Sequence, residues 1–119
     1  MIDCPVCKGN LRPVRMACEG CHLQVEGEFA LPRLVRLPLE MRQLAEQMLL
    51  CGGNLKDLAA EVGVSYPTLR RKVDDMIAAL KELKAADEKR IEAILEGIDQ
   101  GSIKADQGIR LIREIQGEL

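Results

Sequence analysis

The chain has 119 residues, of which 47% are hydrophobic and 30% charged, and its only aromatic residues are Phe29 and Tyr66. This length suits one ordinary domain or two to three very small ones. A core built almost wholly from aliphatic side chains favours helices over a large all-β domain, because sheets favour aromatic and β-branched residues. The net charge of −2 gives no overall signal of nucleic-acid binding, so such a function must rest on local clusters of charge.

Charge is distributed unevenly along the chain. Residues 1–38 carry five basic and four acidic side chains, and residues 39–86 carry seven of each. Residues 87–119 carry five basic and eight acidic side chains, which makes the C-terminal part acidic.

No run of 18 apolar residues is present, so we expect no membrane span and no membrane partner. The N-terminus continues directly to Asp3 and Cys4 without a basic and then apolar leader, so no secretory signal is expected. We therefore expect a cytoplasmic protein whose five cysteines are reduced rather than paired in disulfides.

The N-terminal residues 1–37 contain four of the five cysteines and show no helical period. Short extended runs are predicted at 11–17 and 23–29, where apolar and polar residues alternate in the second run. Residues 31–38, bounded by two prolines, are predicted to form an extended connector.

Two Cys-x-x-Cys pairs, Cys4 with Cys7 and Cys18 with Cys21, are separated by ten residues. A two-residue spacer lets both thiolates of a pair face one point, and the longer spacer allows a hairpin to bring the pairs together. The segment resembles a zinc ribbon, with Zn²⁺ bound by the four cysteines. Iron in a rubredoxin-like site or a redox-active cysteine pair are the alternatives.

Two further residues, His22 and Cys51, have side chains capable of metal binding or redox chemistry. His22 follows Cys21 directly, but four cysteines already complete a tetrahedral zinc site, so we expect His22 to be a bystander. Cys51 stands alone at a predicted helix end, and we expect it to be a half-buried small apolar residue rather than a redox-sensing thiol.

The central part of the chain is predicted to be helical. One helix covers Leu39 to Leu50, and a second covers Leu55 to Val62 with Asn54 as its N-cap. Gly63 ends the second helix in the left-handed conformation, and Ser65 caps a longer helix that follows.

These features predict a helix-turn-helix. Ala59 provides the small residue where two steeply crossing helices touch, and Gly63 provides the turn. The apolar residues that close the small core are Leu58, Val62, Val64, Leu69 and Val73. The segment resembles the DNA-binding helix-turn-helix of the Fis type and of sigma-factor region 4, and residues 53–72 are especially similar to the Fis type.

The resemblance implies that the second helix lies in the major groove of double-stranded DNA, with its N-terminal residues at the base edges. Exposed side chains near that helix start, together with one cation on the preceding helix, are the predicted DNA contacts. They are Lys56, Ser65, Tyr66, Thr68, Arg70, Arg71 and Lys72. The alternative is a solvated basic turn on a helical bundle that binds protein, including RNA polymerase or a sigma factor.

Residues 87–119 are predicted to form a helical hairpin, with isoleucines at helical spacing in both arms and a turn at 99–102. The charged segment 84–90 that precedes it is either continuous helix or a hinge. Helices this short need a partner surface. The hairpin resembles the short bacterial SHOCT-like C-terminal hairpin, which implies oligomerisation or interaction. Packing within its own chain is the alternative.

The whole chain resembles a bacterial domain-of-unknown-function family that joins these three parts. The predicted fold is mainly α with a small N-terminal β zinc ribbon (1–37), a helix-turn-helix domain (38–86) and a C-terminal helical hairpin (87–119). The predicted function is that of a zinc-containing transcriptional regulator that binds DNA and acts as a homodimer or larger homo-oligomer. The alternative is a protein-binding adaptor that contacts RNA polymerase or a sigma factor without reading DNA.

An enzyme is not expected. One histidine, two serines and one threonine leave few possible pairs of nucleophile and base. No glycine-rich loop of the Walker or dinucleotide-binding type is present.

Overall fold

The computed structural model describes residues 2–117, without the side chain of Ile2. The chain divides into two compact units: Met1–Pro32 together with Asp87–Leu119, and Arg33–Ala86. The fold is mainly helical with a small N-terminal β ribbon, which confirms the predicted fold class. No helix within residues 2–117 is both long enough and apolar enough to cross a membrane.

The N-terminal part of the first unit contains two separate antiparallel strand pairs. Strand β1 (Ile2–Asp3) pairs with β2 (Asn10–Leu11), and β3 (Arg15–Ala17) pairs with β4 (Gln24–Glu26). The longer strands β3 and β4 lie within the two predicted extended runs. None of residues 3–30 is buried, so these hairpins have no hydrophobic core of their own.

The second unit begins with an element that sequence analysis did not predict. Residues Arg33–Arg36 form a short helix α1, so the prediction of a fully extended connector over 31–38 was wrong. The physical reason is the position of Leu37, whose side chain is completely buried while that of Leu34 is 53% exposed. One helical turn between Pro32 and Pro38 places the side chain of Leu37 in the hydrophobic core.

The other helices of this unit begin and end close to the predicted residues. Helix α2 covers Leu39–Leu50, α3 covers Leu55–Val62, and α4 starts at Tyr66. Their buried residues form one aliphatic core, in which a fully buried leucine contributes about 1.5–3 kcal/mol. The buried core residues are Leu37, Leu44, Leu58, Ala59, Leu69, Val73 and Met76.

Local capping explains why the helices stop and start where they do. The side-chain oxygen of Asn54 accepts hydrogen bonds from the backbone N–H groups of Lys56 and Asp57 at 3.1 and 3.2 Å, which confirms the predicted N-cap. Gly63 has φ of 79°, the left-handed conformation predicted for it. At the start of α4, the Ser65 hydroxyl accepts a hydrogen bond from the Thr68 N–H at 3.4 Å.

Helix α4 continues without interruption from Tyr66 to Asp99. The charged segment 84–90 is therefore helical, as one of the two predicted alternatives had it. A turn then leads to α5, which covers Ala105–Ile115. Residues 87–99 of α4 and helix α5 form the predicted C-terminal hairpin, which belongs to the first unit.

Two glycines allow the arms of this hairpin to approach closely. A Cβ atom on Gly108 would lie 2.3 Å from Cδ1 and 2.7 Å from Cγ1 of Ile98. A Cβ atom on Gly97 would lie 2.6 Å from Cδ1 of Ile103. Both glycines are buried, so the hairpin depends on the absence of side chains at these positions.

We predict that Gly108→Ala lowers the free energy of unfolding by about 1–2 kcal/mol. The loss from overpacking against Ile98 outweighs the gain in helix propensity of about 1 kcal/mol. Chemical denaturation followed by circular dichroism measures this change. The exposed neighbour Gln107→Ala is the control, because it changes helix propensity without adding volume to the contact. Equal or greater stability of the Gly108 variant would contradict the packing described here.

Candidate zinc ribbon and nucleic-acid interface

The first cysteine pair lies on a tight turn, or knuckle, between β1 and β2. The Cys4 N–H donates to the Gly9 carbonyl at 2.7 Å, and the Lys8 N–H donates to the Cys4 carbonyl at 2.9 Å. The Gly9 N–H points to the sulfur of Cys7 at 3.4 Å, and Lys8 has a positive φ of 62°. A Cβ atom at Gly9 would lie 3.3 Å from the same sulfur, so glycine suits this close approach.

The second cysteine pair has the same backbone arrangement, fourteen residues later. The Cys18 N–H donates to the Leu23 carbonyl at 2.8 Å, and the His22 N–H donates to the Cys18 carbonyl at 2.9 Å. His22 has φ of 63° and occupies the position that Lys8 has in the first knuckle. The location of the single histidine beside Cys21 therefore has a backbone explanation that does not involve metal binding.

Hydrogen bonds within each knuckle favour the thiolate form of its first cysteine. Those from the backbone of Cys7 lower the pKa of the Cys4 thiol, and those from the backbone of Cys21 lower the pKa of the Cys18 thiol. The thiol of the second cysteine in each pair lowers the pKa of the first thiol further. Since the thiolate is the form that binds metals, this shift is in the direction that suits a metal ligand.

The four cysteines are of the right chemical type for zinc, but the two pairs do not lie at one point. Four cysteine sulfurs in two knuckles suit tetrahedral zinc. Within residues 2–117, however, no group of three or more Cys, His, Asp or Glu side chains is placed so that it could hold a metal ion. The structure thus brings together the two cysteines of each pair but does not bring the pairs to one point.

Cys51 has an environment opposite to that of the knuckle cysteines. It lies at the end of α2, is half-buried as expected, and its thiol donates a hydrogen bond to the Glu61 carboxylate at 3.0 Å. This bond and the nearby negative charge raise the pKa of the Cys51 thiol. Sequence analysis did not identify Glu61 as its partner, because the two residues are ten positions apart across the α2–α3 turn.

The helix-turn-helix presents the start of α4 to solvent. Leu69, Val73 and Met76 are buried and define the inner side of this helix. All the predicted DNA-contacting side chains are exposed, and Tyr66 is 46% exposed. They are Lys56, Ser65, Tyr66, Thr68, Arg70, Arg71 and Lys72. The arrangement leaves hydroxyl, aromatic and guanidinium groups on the outer side of one helix end.

The three consecutive cations have different surroundings. Arg70 forms an ion pair with Asp74, one turn further along α4, with 3.3 Å between Nη2 and Oδ1. Lys72 lines a surface groove of about 330 Å³ between α2, α3 and α4 that also contains the carboxylates of Glu40 and Asp75. Within the described part of the chain, Arg71 has no ion pair. Sequence analysis treated the three alike and missed Asp74, although the i,i+4 spacing could have indicated it.

Two models of one protein family match this chain. A family model described as the DUF2089 zinc ribbon matches residues 4–35, and a model described as "Domain of unknown function (DUF2089)-HTH" matches residues 37–82. No curated protein and no solved structure matches the chain. The matched ranges contain both cysteine knuckles and the helix-turn-helix, and residues 83–119 lie outside them.

A zinc ribbon followed by a helix-turn-helix points to a nucleic-acid-binding, regulatory role rather than to catalysis. The order of the two matched regions is the order predicted from the sequence. The chain belongs to the DUF2089 family, which joins a zinc ribbon to a helix-turn-helix.

Proposed function

We propose that this protein is a zinc-containing transcriptional regulator that binds double-stranded DNA through the first turns of α4. The observation that carries the proposal is the outer side of that helix, where Arg70 and Arg71 lie beside exposed hydroxyl groups. The buried Leu69 and Val73 hold the helix so that this side faces solvent. An exposed helix of this kind fits the major groove, with arginine suited to guanine edges and phosphates.

In this proposal zinc completes the N-terminal ribbon, with Cys4, Cys7, Cys18 and Cys21 as its ligands. The metal would supply folding free energy that the ribbon lacks, since none of residues 3–30 is buried. Four thiolates leave no open coordination position, so the site would be structural. The modules assigned to these roles are 1–37, 38–86 and 87–119.

We further propose that the protein acts as a homo-oligomer through its C-terminal hairpin. Leu95 on α4 and Ile109 on α5 are 52% and 51% exposed, so both arms of the hairpin present a large aliphatic side chain that a second copy could cover. Two copies would place two recognition helices on one DNA duplex, where successive major grooves are about 34 Å apart.

A protein-binding adaptor is the second candidate. Leu49 and Leu50, at the end of α2, are 74% and 80% exposed and form an apolar pair outside the proposed DNA-contacting side. Together with the zero net charge of residues 39–86, this pair favours docking on a protein such as RNA polymerase or a sigma factor.

We predict that Arg70→Ala combined with Arg71→Ala lowers DNA affinity by about 100-fold, because a base contact and a phosphate contact are lost, and reduces the salt slope by about 1, because one of the two lost contacts is to a phosphate. Fluorescence anisotropy with genomic DNA fragments at moderate salt measures both quantities. Lys89→Ala with Arg90→Ala is the matched control, since it removes the same charge about five turns further along α4.

Unchanged affinity and salt slope in the Arg70/Arg71 double variant would count decisively against the DNA-binding proposal. Recovery of RNA polymerase or a sigma factor after nuclease treatment, without any DNA binding, would select the adaptor instead.

We predict about one zinc ion per chain in freshly purified protein, falling close to zero in Cys4→Ser or Cys18→Ser, because a structural site needs all four ligands. Elemental analysis measures the metal content and also distinguishes zinc from iron. Cys51→Ser should retain full zinc content, since Cys51 is hydrogen-bonded to Glu61 outside the ribbon. Substoichiometric metal in the unaltered protein would argue against the ribbon assignment.

We predict that Leu95→Ser with Ile109→Ser converts the oligomer to a monomer, because it removes apolar surface from the proposed contact. Light scattering coupled to size-exclusion chromatography gives the mass. Leu34→Ser is the control, as Leu34 is similarly exposed but lies on α1. A monomeric unaltered protein, or an oligomer that survives the double substitution, would rule out this surface.

A further inference from the structure

The ion pair between Arg70 and Asp74 is the only ion pair of a proposed DNA-reading arginine within the described residues. The guanidinium Nη2 lies 3.3 Å from the carboxylate Oδ1, and the two side chains are 51% and 56% exposed. An exposed ion pair of this kind contributes little to stability. The ion pair instead restricts the orientation of the long, flexible Arg70 side chain.

The position of the pair on α4 suits a role in binding. Leu69 and Val73, which immediately precede Arg70 and Asp74, are buried, so the pair lies beside the inner face on a solvent-exposed flank. Arg71, the next residue, has no ion pair within residues 2–117 and lies opposite the buried face. The side chain of Arg70 is therefore restrained by an ion pair, whereas the side chain of Arg71 is not.

The chemistry of the guanidinium group explains why an ion pair on Arg70 but not on Arg71 could matter for DNA binding. The guanidinium has five N–H donors in a planar fork, so an arginine that gives one donor to a carboxylate keeps others for a second acceptor. Guanine presents O6 and N7 as two such acceptors in the major groove. A carboxylate that restrains the fork lowers the entropy lost when the fork meets a base.

The carboxylate also acts on DNA directly. Asp74 repels phosphates, which weakens binding to every sequence, whereas the Arg70 contact compensates only where a guanine is present. The same carboxylate therefore raises the affinity difference between the correct sequence and all others.

We propose that Asp74 is a positioning residue that holds Arg70 for reading a guanine, while Arg71 contacts the DNA backbone. This proposal rests on the proposed DNA-binding function and names the source of its sequence specificity. Asp75 supplies a matched comparison, because it is the adjacent carboxylate on α4 and has no ion pair within the described residues.

The test begins with selection of a preferred duplex from random DNA by the purified full-length protein. Affinities for that duplex and for a scrambled duplex are then measured by fluorescence anisotropy at fixed salt. The variants are Asp74→Asn, Asp75→Asn, Arg70→Ala and the double variant Arg70→Ala with Asp74→Asn, each checked for folding by circular dichroism.

We expect Asp75→Asn to strengthen binding to both duplexes by a similar factor, leaving their ratio unchanged. Asp74→Asn should strengthen only scrambled-duplex binding and lower the ratio by about fivefold, a part of the discrimination that one bidentate contact supplies. In the Arg70→Ala background, Asp74→Asn should leave the ratio unchanged, since the residue that Asp74 positions is absent.

Two results would overturn the proposal, and they are distinguishable. If Asp74→Asn strengthens both duplexes equally, as Asp75→Asn does, Asp74 is only a surface charge and DNA binding itself stands. If the unaltered protein selects no duplex from the random DNA and shows no DNA binding, the proposed function is wrong, and the positioning role of Asp74 is wrong with it.

Discussion

The burial of one aliphatic side of α4 is the constraint on which the rest of the helix-turn-helix depends. Leu69 is completely buried and Val73 is 3% exposed, and both belong to the same cluster as Leu58 and Ala59 of α3. Because successive residues of a helix are rotated by about 100°, burying these positions determines which neighbours face solvent. The exposed guanidinium groups are thus a geometric consequence of the core, and not only of the local sequence.

The N-terminal ribbon achieves order by different means. Its short strands bury none of the described side chains, and its regular features are backbone hydrogen bonds around the cysteines. Surface ion pairs such as Arg12 with Glu28, at 3.0 Å and well exposed, add little stability. The zinc ion proposed for this segment would supply folding free energy that a hydrophobic core supplies elsewhere.

Sequence reasoning succeeded where the determining interactions are local. Asn54 and Gly63 were predicted correctly because capping and left-handed glycine depend on the nearest few residues. The short helix α1 was missed because its cause, the burial of Leu37, is a tertiary contact. The cysteine spacing predicted the closeness of the two cysteines within each pair for the same local reason, whereas the approach of one knuckle to the other depends on the path of the intervening chain.

The matching geometry of the two knuckles bears on how the proposed zinc site would take up its metal. Lys8 and His22 both adopt the left-handed conformation, which is unfavourable for residues other than glycine, so each turn is held in shape by its own hydrogen bonds. In the proposed zinc site, either turn, with its paired thiols, could bind the metal ion first. The other turn, tethered by only ten intervening residues, would then reach the ion at a high effective concentration. Closure of the proposed site could therefore begin from either end of the ribbon.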